Sequence, residues 1–176
     1  MQDCDLNSRV EKILRGSFDL HVHAGPDPTQ DRRLDALDTV QHAYQAEMAG
    51  LVLKSHYYPT ASLAQMLNRV YPDLIVAGSI VLNNAIGGLN PDAVKTAADL
   101  GSKIIWMPTH SADFYLSSQN KGTGIRLTDS HGKLSSQLYP ILNIAQRYDI
   151  AIASGHVSAT EAIAMFRAAR DCGVKR

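Results

Sequence analysis

Compact apolar runs alternate with longer stretches of helical period along most of the chain. The runs fall at residues 18–23, 51–56, 74–82, 104–107 and 150–154. Each is apolar on both faces, as a parallel strand covered by helices must be, so each predicts a strand. The stretches between them predict helices over 34–49, 61–70, 91–100, 136–148 and 159–172, preceded by a short amphipathic helix over 8–14 that Gly16 stops. Asn90-Pro91 supplies an N-cap and a first-turn proline, and Gly50, Gly101 and Gly173 sit where a left-handed residue closes a helix. Ser158 and Glu161 have the spacing of a capping box, which gives Glu161 a structural task.

Five successive βα units predict an α/β fold of parallel strands, either an open doubly wound sheet or part of a (β/α)₈ barrel. The first strand is followed by Gly25-Pro26 and not by a glycine-rich phosphate loop, and the proline removes an amide that such a loop would use. The barrel is therefore favoured. A full barrel runs to ~250 residues, so a chain ending after its fifth helix predicts one incomplete, TIM-barrel-like domain over 1–176, a barrel cut short. The long connection 109–135 breaks the rhythm, and connections of that length are functional lids or disordered segments. Within it, 125–128 and 133–134 flank Asp129-Ser130-His131-Gly132 and predict a small hairpin, with His131 as a turn residue.

Composition narrows the function classes. Of 176 residues 45% are apolar, and seventeen basic side chains balance seventeen acidic ones with no long run of either sign, so neither nucleic acid nor an anionic membrane surface is an expected partner. The expected partner is a small-molecule substrate. Two cysteines, Cys4 and Cys172, are too few for a disulfide scaffold and read as reduced thiols. The acidic start of the chain has no signal-peptide run, and no segment approaches the ~20 apolar residues of a membrane helix, so the expected location is cytoplasmic.

Polar residues gather at the carboxyl ends of the predicted strands, which in a parallel α/β barrel face one shared mouth. Strand one ends in Asp19, His21 and His23, strand two in Lys54 and His56, strand three in Asn83-Asn84. Strand four runs into Thr109-His110 and strand five ends in Ser154-Gly155-His156. His21 and His23 share a face at period two, ~6.5–7 Å apart along the strand, so both imidazoles can turn onto one divalent ion bonded at ~2.1 Å. His156 can reach that ion from across the mouth, leaving a fourth position open as in a catalytic site. Lys54 lies in an apolar strand, where an unpaired ammonium is costly. It pairs with a carboxylate such as Asp19 or Asp27, contacts an anionic substrate, or carries a carbamate that bridges metals. His56 reads as a ligand or proton shuttle. His110 can point away with its loop, His42 is a helix-surface residue, Arg32 and Arg33 read as solvated loop residues, and 83–91 offers either amides for an anion or a plain turn.

The block "FDLHVH" resembles the first-strand His-x-His signature of the amidohydrolase superfamily, and "DLHVHAGPD", "LVLKSHYYPT", "VLNNAIGGLNP", "IIWMPT" and "SGHVSATEA" extend the resemblance from Gly16 onward. That resemblance implies a metal-dependent hydrolase on a (β/α)₈ barrel, with His21, His23 and His156 as metal ligands. It implies one or two divalent ions, zinc first, and attack of activated water on an amide, ester or lactone carbonyl. The superfamily's bridging lysine usually ends the fourth strand, whereas Lys54 ends the second. Its sixth-strand histidine and eighth-strand aspartate fall beyond Arg176, so the general base is His56, Asp27 or a carboxylate outside this chain. Two other readings stand beside it: a PHP-type phosphoesterase, and a catalytically silent barrel fragment acting as a binding or assembly module. Open strand edges predict a homo-oligomer.

Overall fold

Strands and helices follow one another in the order the hydrophobic pattern predicts, with one strand split and one helix added. The computed structural model describes residues 2–176, and side chains from Ser8 on. The strands are β1 (Phe18–Val22), β2 (Gly50–Leu53), β3 (Ile75–Ala77), β4 (Ser79–Val81), β5 (Ile104–Trp106) and β6 (Ala151–Ala153). The helices are α1 (Gln2–Leu14), α2 (Ala36–Gln45), α3 (Ala61–Val70), α4 (Pro91–Asp99), α5 (Asp113–Ser118), α6 (Leu138–Tyr148) and α7 (Ala159–Asp171). All ladders are parallel, in the orders β1-β2-β3 and β4-β5-β6. This is a mixed α/β architecture consistent with part of a TIM-like fold.

The apolar run 74–82 does not form one strand but two, because it changes partner at Gly78. Its first half pairs with β2 and its second with β5. The start of α3 wedges in between. The Thr60 hydroxyl donates to Leu53 O at 2.7 Å, the Ser79 amide donates to the Thr60 hydroxyl at 2.8 Å, and the Thr60 amide donates to Ser79 O at 3.0 Å. A Cβ on Gly78 would collide with the backbone of Ala61, so glycine is what lets helix and strand approach this closely.

Two apolar clusters fill the space between strands and helices. Val40, Leu51, Leu53, Leu67, Leu74 and Val76 pack under α2 and α3, and Ile80, Leu82, Val94, Ile105, Ile141 and Leu142 under α4 and α6. Each such side chain contributes about 1.5–3 kcal/mol by leaving water. The Ser158 capping box is present, and its Glu161 has a second task that spacing could not reveal. Buried at 6% exposure, Glu161 accepts the Leu127 amide at 2.8 Å and so pins the long connection to α7. That connection contains α5, and in place of the expected hairpin ladder it has one antiparallel bridge, Thr128 to Leu134, around a turn at 129–132. Exposed His131 donates its amide to Asp129 there.

Gly101 and Gly173 have the expected positive φ, but Gly50 opens β2 and the left-handed residue after α2 is Glu47, at φ 54°. Gly50 is needed instead because the Phe18 ring and Ile75 leave no room for a Cβ. Cys172 is a free, half-buried thiol, whereas the expectation for Cys4 lies outside the described side chains. Among the described residues no helix is long and apolar enough to cross a membrane.

Candidate functional site

The carboxyl ends of the strands gather five of the seven histidines into one continuous row. It begins on β1. The β1–β2 register slips between Asp19 and Val22, and a bulge of this kind re-aims side chains. Asp19 Oδ1 accepts the His21 amide at 2.9 Å and holds the bulge. His21 and His23 then converge, their Nε2 atoms 3.2 Å apart. His23 stacks on His56 of the β2 end (4.6 Å between centroids), His56 on His110 (3.9 Å), and His110 lies 5.9 Å from His156. Tyr115 of α5 closes the row against His110 and His156, at 5.5 and 5.2 Å.

His156 reaches the row through a glycine. Gly155 has φ 62°, and a Cβ there would strike the carbonyls of Met107 and Pro108. That approach lets the His156 amide donate to Pro108 O at 2.9 Å, which sets the β6 rim against the β5 rim. His156 Nδ1 is buried and has no hydrogen-bond partner among the described residues.

Beneath the row lies a buried polar relay. Asn83 Oδ1 accepts the amides of Thr109 at 2.8 Å and Ser111 at 3.3 Å, which fixes the orientation of its side chain. Its Nδ2 donates to His56 O and to Thr109 Oγ1, so the Thr109 hydroxyl proton has one recipient among the described residues, His56 Nδ1 at 2.8 Å. A neutral imidazole that accepts at Nδ1 carries its proton on Nε2. His56 therefore carries its proton on Nε2 and is not a ligand through that nitrogen in this arrangement.

Lys54 is only 3% exposed and has no carboxylate partner among the described residues. Its ammonium donates to His21 Nε2 at 3.1 Å and lies 4.1 Å from the centre of the Trp106 ring. Burial brings Lys54 down to about 8. Burial, then the charge of Lys54, depresses His23 to about 4, and burial with the neighbouring histidines takes His56 to about 3. His21, His110 and His156 are lowered by the same two causes. All five rings are consequently neutral near pH 7, the state in which a ring nitrogen can bind metal.

Asp27, a candidate base, is otherwise engaged. Its Oδ1 accepts from the Thr29 amide and hydroxyl and the Gln30 amide, and its Oδ2 accepts from Arg32 Nε at 3.0 Å and Nη2 at 2.8 Å. Burial raises this carboxyl, but the Thr29 and Arg32 bonds outweigh it and hold it at about 2, too acidic to take a proton near neutrality. Arg32 is thus an ion-pair partner and not a solvated loop residue. Tyr57, whose hydroxyl lies 2.7 Å from that of Thr29, ties this loop to the β2 rim.

The spacing of His21 and His23 fits a metal. Two nitrogens bonded to one ion at ~2.1 Å, at angles from octahedral to tetrahedral, lie ~3.0–3.4 Å apart. The hydrogen bond from Lys54 leaves the His21 proton on Nδ1 and occupies its single Nε2 lone pair, so His21 can bind an ion through Nε2 only once Lys54 releases it. Among the described residues, however, no three His, Cys, Asp or Glu side chains converge as a complete cage. His156 joins the assembly through His110 and Tyr115. Trp106 and Tyr115 line the site without having been singled out by sequence. The alternation of Ile104 and Trp106 along β5 was the available signal for the first.

Residues 16–176 match the model of a family described as "Family of unknown function (DUF6282)". No curated protein matches the sequence. Among solved structures, a probable dipeptidase, PvdM from Pseudomonas aeruginosa, superposes with a TM-score of 0.59 at 12% sequence identity, covering 92% of this chain and 51% of its own. The chain thus spans about half the length of that neighbour and shares its fold over that half.

Proposed function

The chain belongs to the DUF6282 family, and on that premise we propose that it forms part of a TIM-like barrel and acts as a metal-dependent hydrolase of a carbonyl substrate such as an amide. The observation that carries this reading is the 3.2 Å approach of the His21 and His23 Nε2 atoms at the carboxyl ends of parallel strands. His21, once its Nε2 is released by Lys54, and His23 would hold one divalent ion, zinc before others, and His156, whose Nδ1 has no partner among the described residues, would have to draw closer to the pair to serve as a third ligand. The chemistry such an ion would supply is a more acidic water and a polarised carbonyl. His56 presents its Nε2–H to the oxygen on which charge develops, held by Thr109 and Asn83. Lys54 offers its remaining N–H groups to the same oxygen or to a neighbouring one. The fold shared with a probable dipeptidase supports an amide among the candidate bonds.

The lack of a complete three-ligand cage among the described residues favours a second reading, a silent barrel module. Elemental analysis of the purified protein and of His21→Ala separates the two. The hydrolase reading expects one or two zinc-class ions per chain, at least half of them lost in the variant. Equal metal content in both proteins would remove His21 from the ligand set.

A further inference from the structure

Among the described residues the rim has a surplus of hydrogen-bond donors and no carboxylate bonded to Lys54. Lys54 brings three N–H groups and uses one, on His21. Trp106 Nε1 is buried without a partner, although its ring lies against both Lys54 and His21. His56 carries its proton on Nε2, with no acceptor among the described residues, because Thr109 occupies Nδ1. Of the two nearby carboxylates, exposed Asp19 accepts the His21 amide on one oxygen and is not bonded to Lys54, and Asp27 is saturated by Arg32, Thr29 and Gln30. A 3% exposed ammonium without a counter-charge is costly, and a divalent ion next to it deepens the imbalance.

We propose that Lys54, with the N–H groups of His56 and Trp106, forms a binding site for an oxyanion, the carboxylate or phosphate group of a small molecule. The site rests on this chain's own charge and donor balance, and it stands whether or not the hydrolase reading holds. An oxyanion supplies the acceptors that the rim lacks: one oxygen takes the ammonium and another a ring N–H. The apolar face of Trp106 keeps water from competing.

Trp106 is the only tryptophan in the chain, so its fluorescence reports on this site alone. The full chain, freed of metal with a chelator, is titrated at constant ionic strength with sodium phosphate, with sodium acetate and with sodium chloride. The expected result is a saturable change with phosphate or with acetate and none with chloride, and the responding anion identifies the group. In Lys54→Met the affinity drops by about ten-fold or more, the loss of one charge-assisted bond. Lys103→Ala, at the opposite ends of the strands, leaves it unchanged. Circular dichroism checks folding, and Lys54→Gln serves as a second variant. The wild-type titration carries the test without either. A flat titration with both oxyanions, an undiminished response in a folded Lys54 variant, or a response that requires added metal would each overturn the site. The first two results leave the metal content of His21→Ala untouched, so the two readings fail separately.

Discussion

The two ends of the parallel strands differ in character. At the amino ends lies a cavity of about 730 Å³ lined by Phe18, Leu20, Val52, Ile75, Ile104 and Ala151. It is largely apolar, and Leu20 and Ile75 stand 60% exposed in or beside it. Its ionic groups are peripheral: Lys103, and Asp149 paired with Arg176. The carboxyl ends carry the imidazole row, the uncompensated lysine and the buried Asn83–Thr109 relay. Convergent polar groups with shifted proton affinities set the carboxyl ends apart, whereas the amino-end cavity is apolar sheet surface.

The most damaging single change is expected where one rim leans on another. Gly155→Ala adds a Cβ against the carbonyls of Met107 and Pro108 at a left-handed backbone position, φ 62°. Strain and overpacking together cost about 2–5 kcal/mol. Denaturant unfolding should show a fall in midpoint with little change in slope. A cost below about 0.5 kcal/mol would mean that the β6 rim is free to move away from β5 and that the imidazole row is not a fixed object.

Much of this architecture is legible in the sequence, for reasons that differ by element. The helix over 61–70 appears with those bounds as Ala61–Val70, because apolar period and helix length agree there. Asn90 and Ser158 cap as their spacing requires, since capping is a local bargain between a side chain and the next few amides. What stays hidden depends on distant chain. The break at Gly78 is imposed by Thr60, the tautomer of His56 by Asn83 and Thr109, and the aim of His21 by a register slip against β2. The same holds at the rim as a whole. Sequence places His21, His23, Lys54, His56 and His156 at strand ends, but it does not show that His110 stacks at 3.9 Å on His56 or that Asp27 is spent on Arg32.

Two ion pairs sharpen the contrast between the ends because their lengths are nearly equal. Asp27–Arg32, at the rim, spans 2.8 Å with side chains 8% and 22% exposed. Asp27→Asn removes a charge that accepts hydrogen bonds on both oxygens, at an expected cost of about 2 kcal/mol. The pH dependence has a definite sign. The folded carboxyl sits at about 2 against an ordinary 3.8, so its stabilisation is complete above 3.8 and is lost as pH falls toward 2. Unfolding midpoints measured across that window should fall less steeply with acid in the variant than in the parent. Parallel curves would show that the rim loop does not depend on the pair.

At the other end, Arg176–Asp149 spans 2.7 Å, but the two side chains are 63% and 48% exposed. Water already solvates both groups, so the Coulomb gain is small and salt screens it further. Asp149 also occupies a left-handed position after α6, at φ 51°, a conformation asparagine tolerates as well as aspartate does. Asp149→Asn therefore changes the charge and leaves the backbone alone. The expected cost is about 0–0.5 kcal/mol, shrinking as salt is raised. A loss equal to that of Asp27→Asn would mean that burial is not what separates the two ends, and the amino-terminal hollow would then have to be reconsidered as a site with electrostatics of its own.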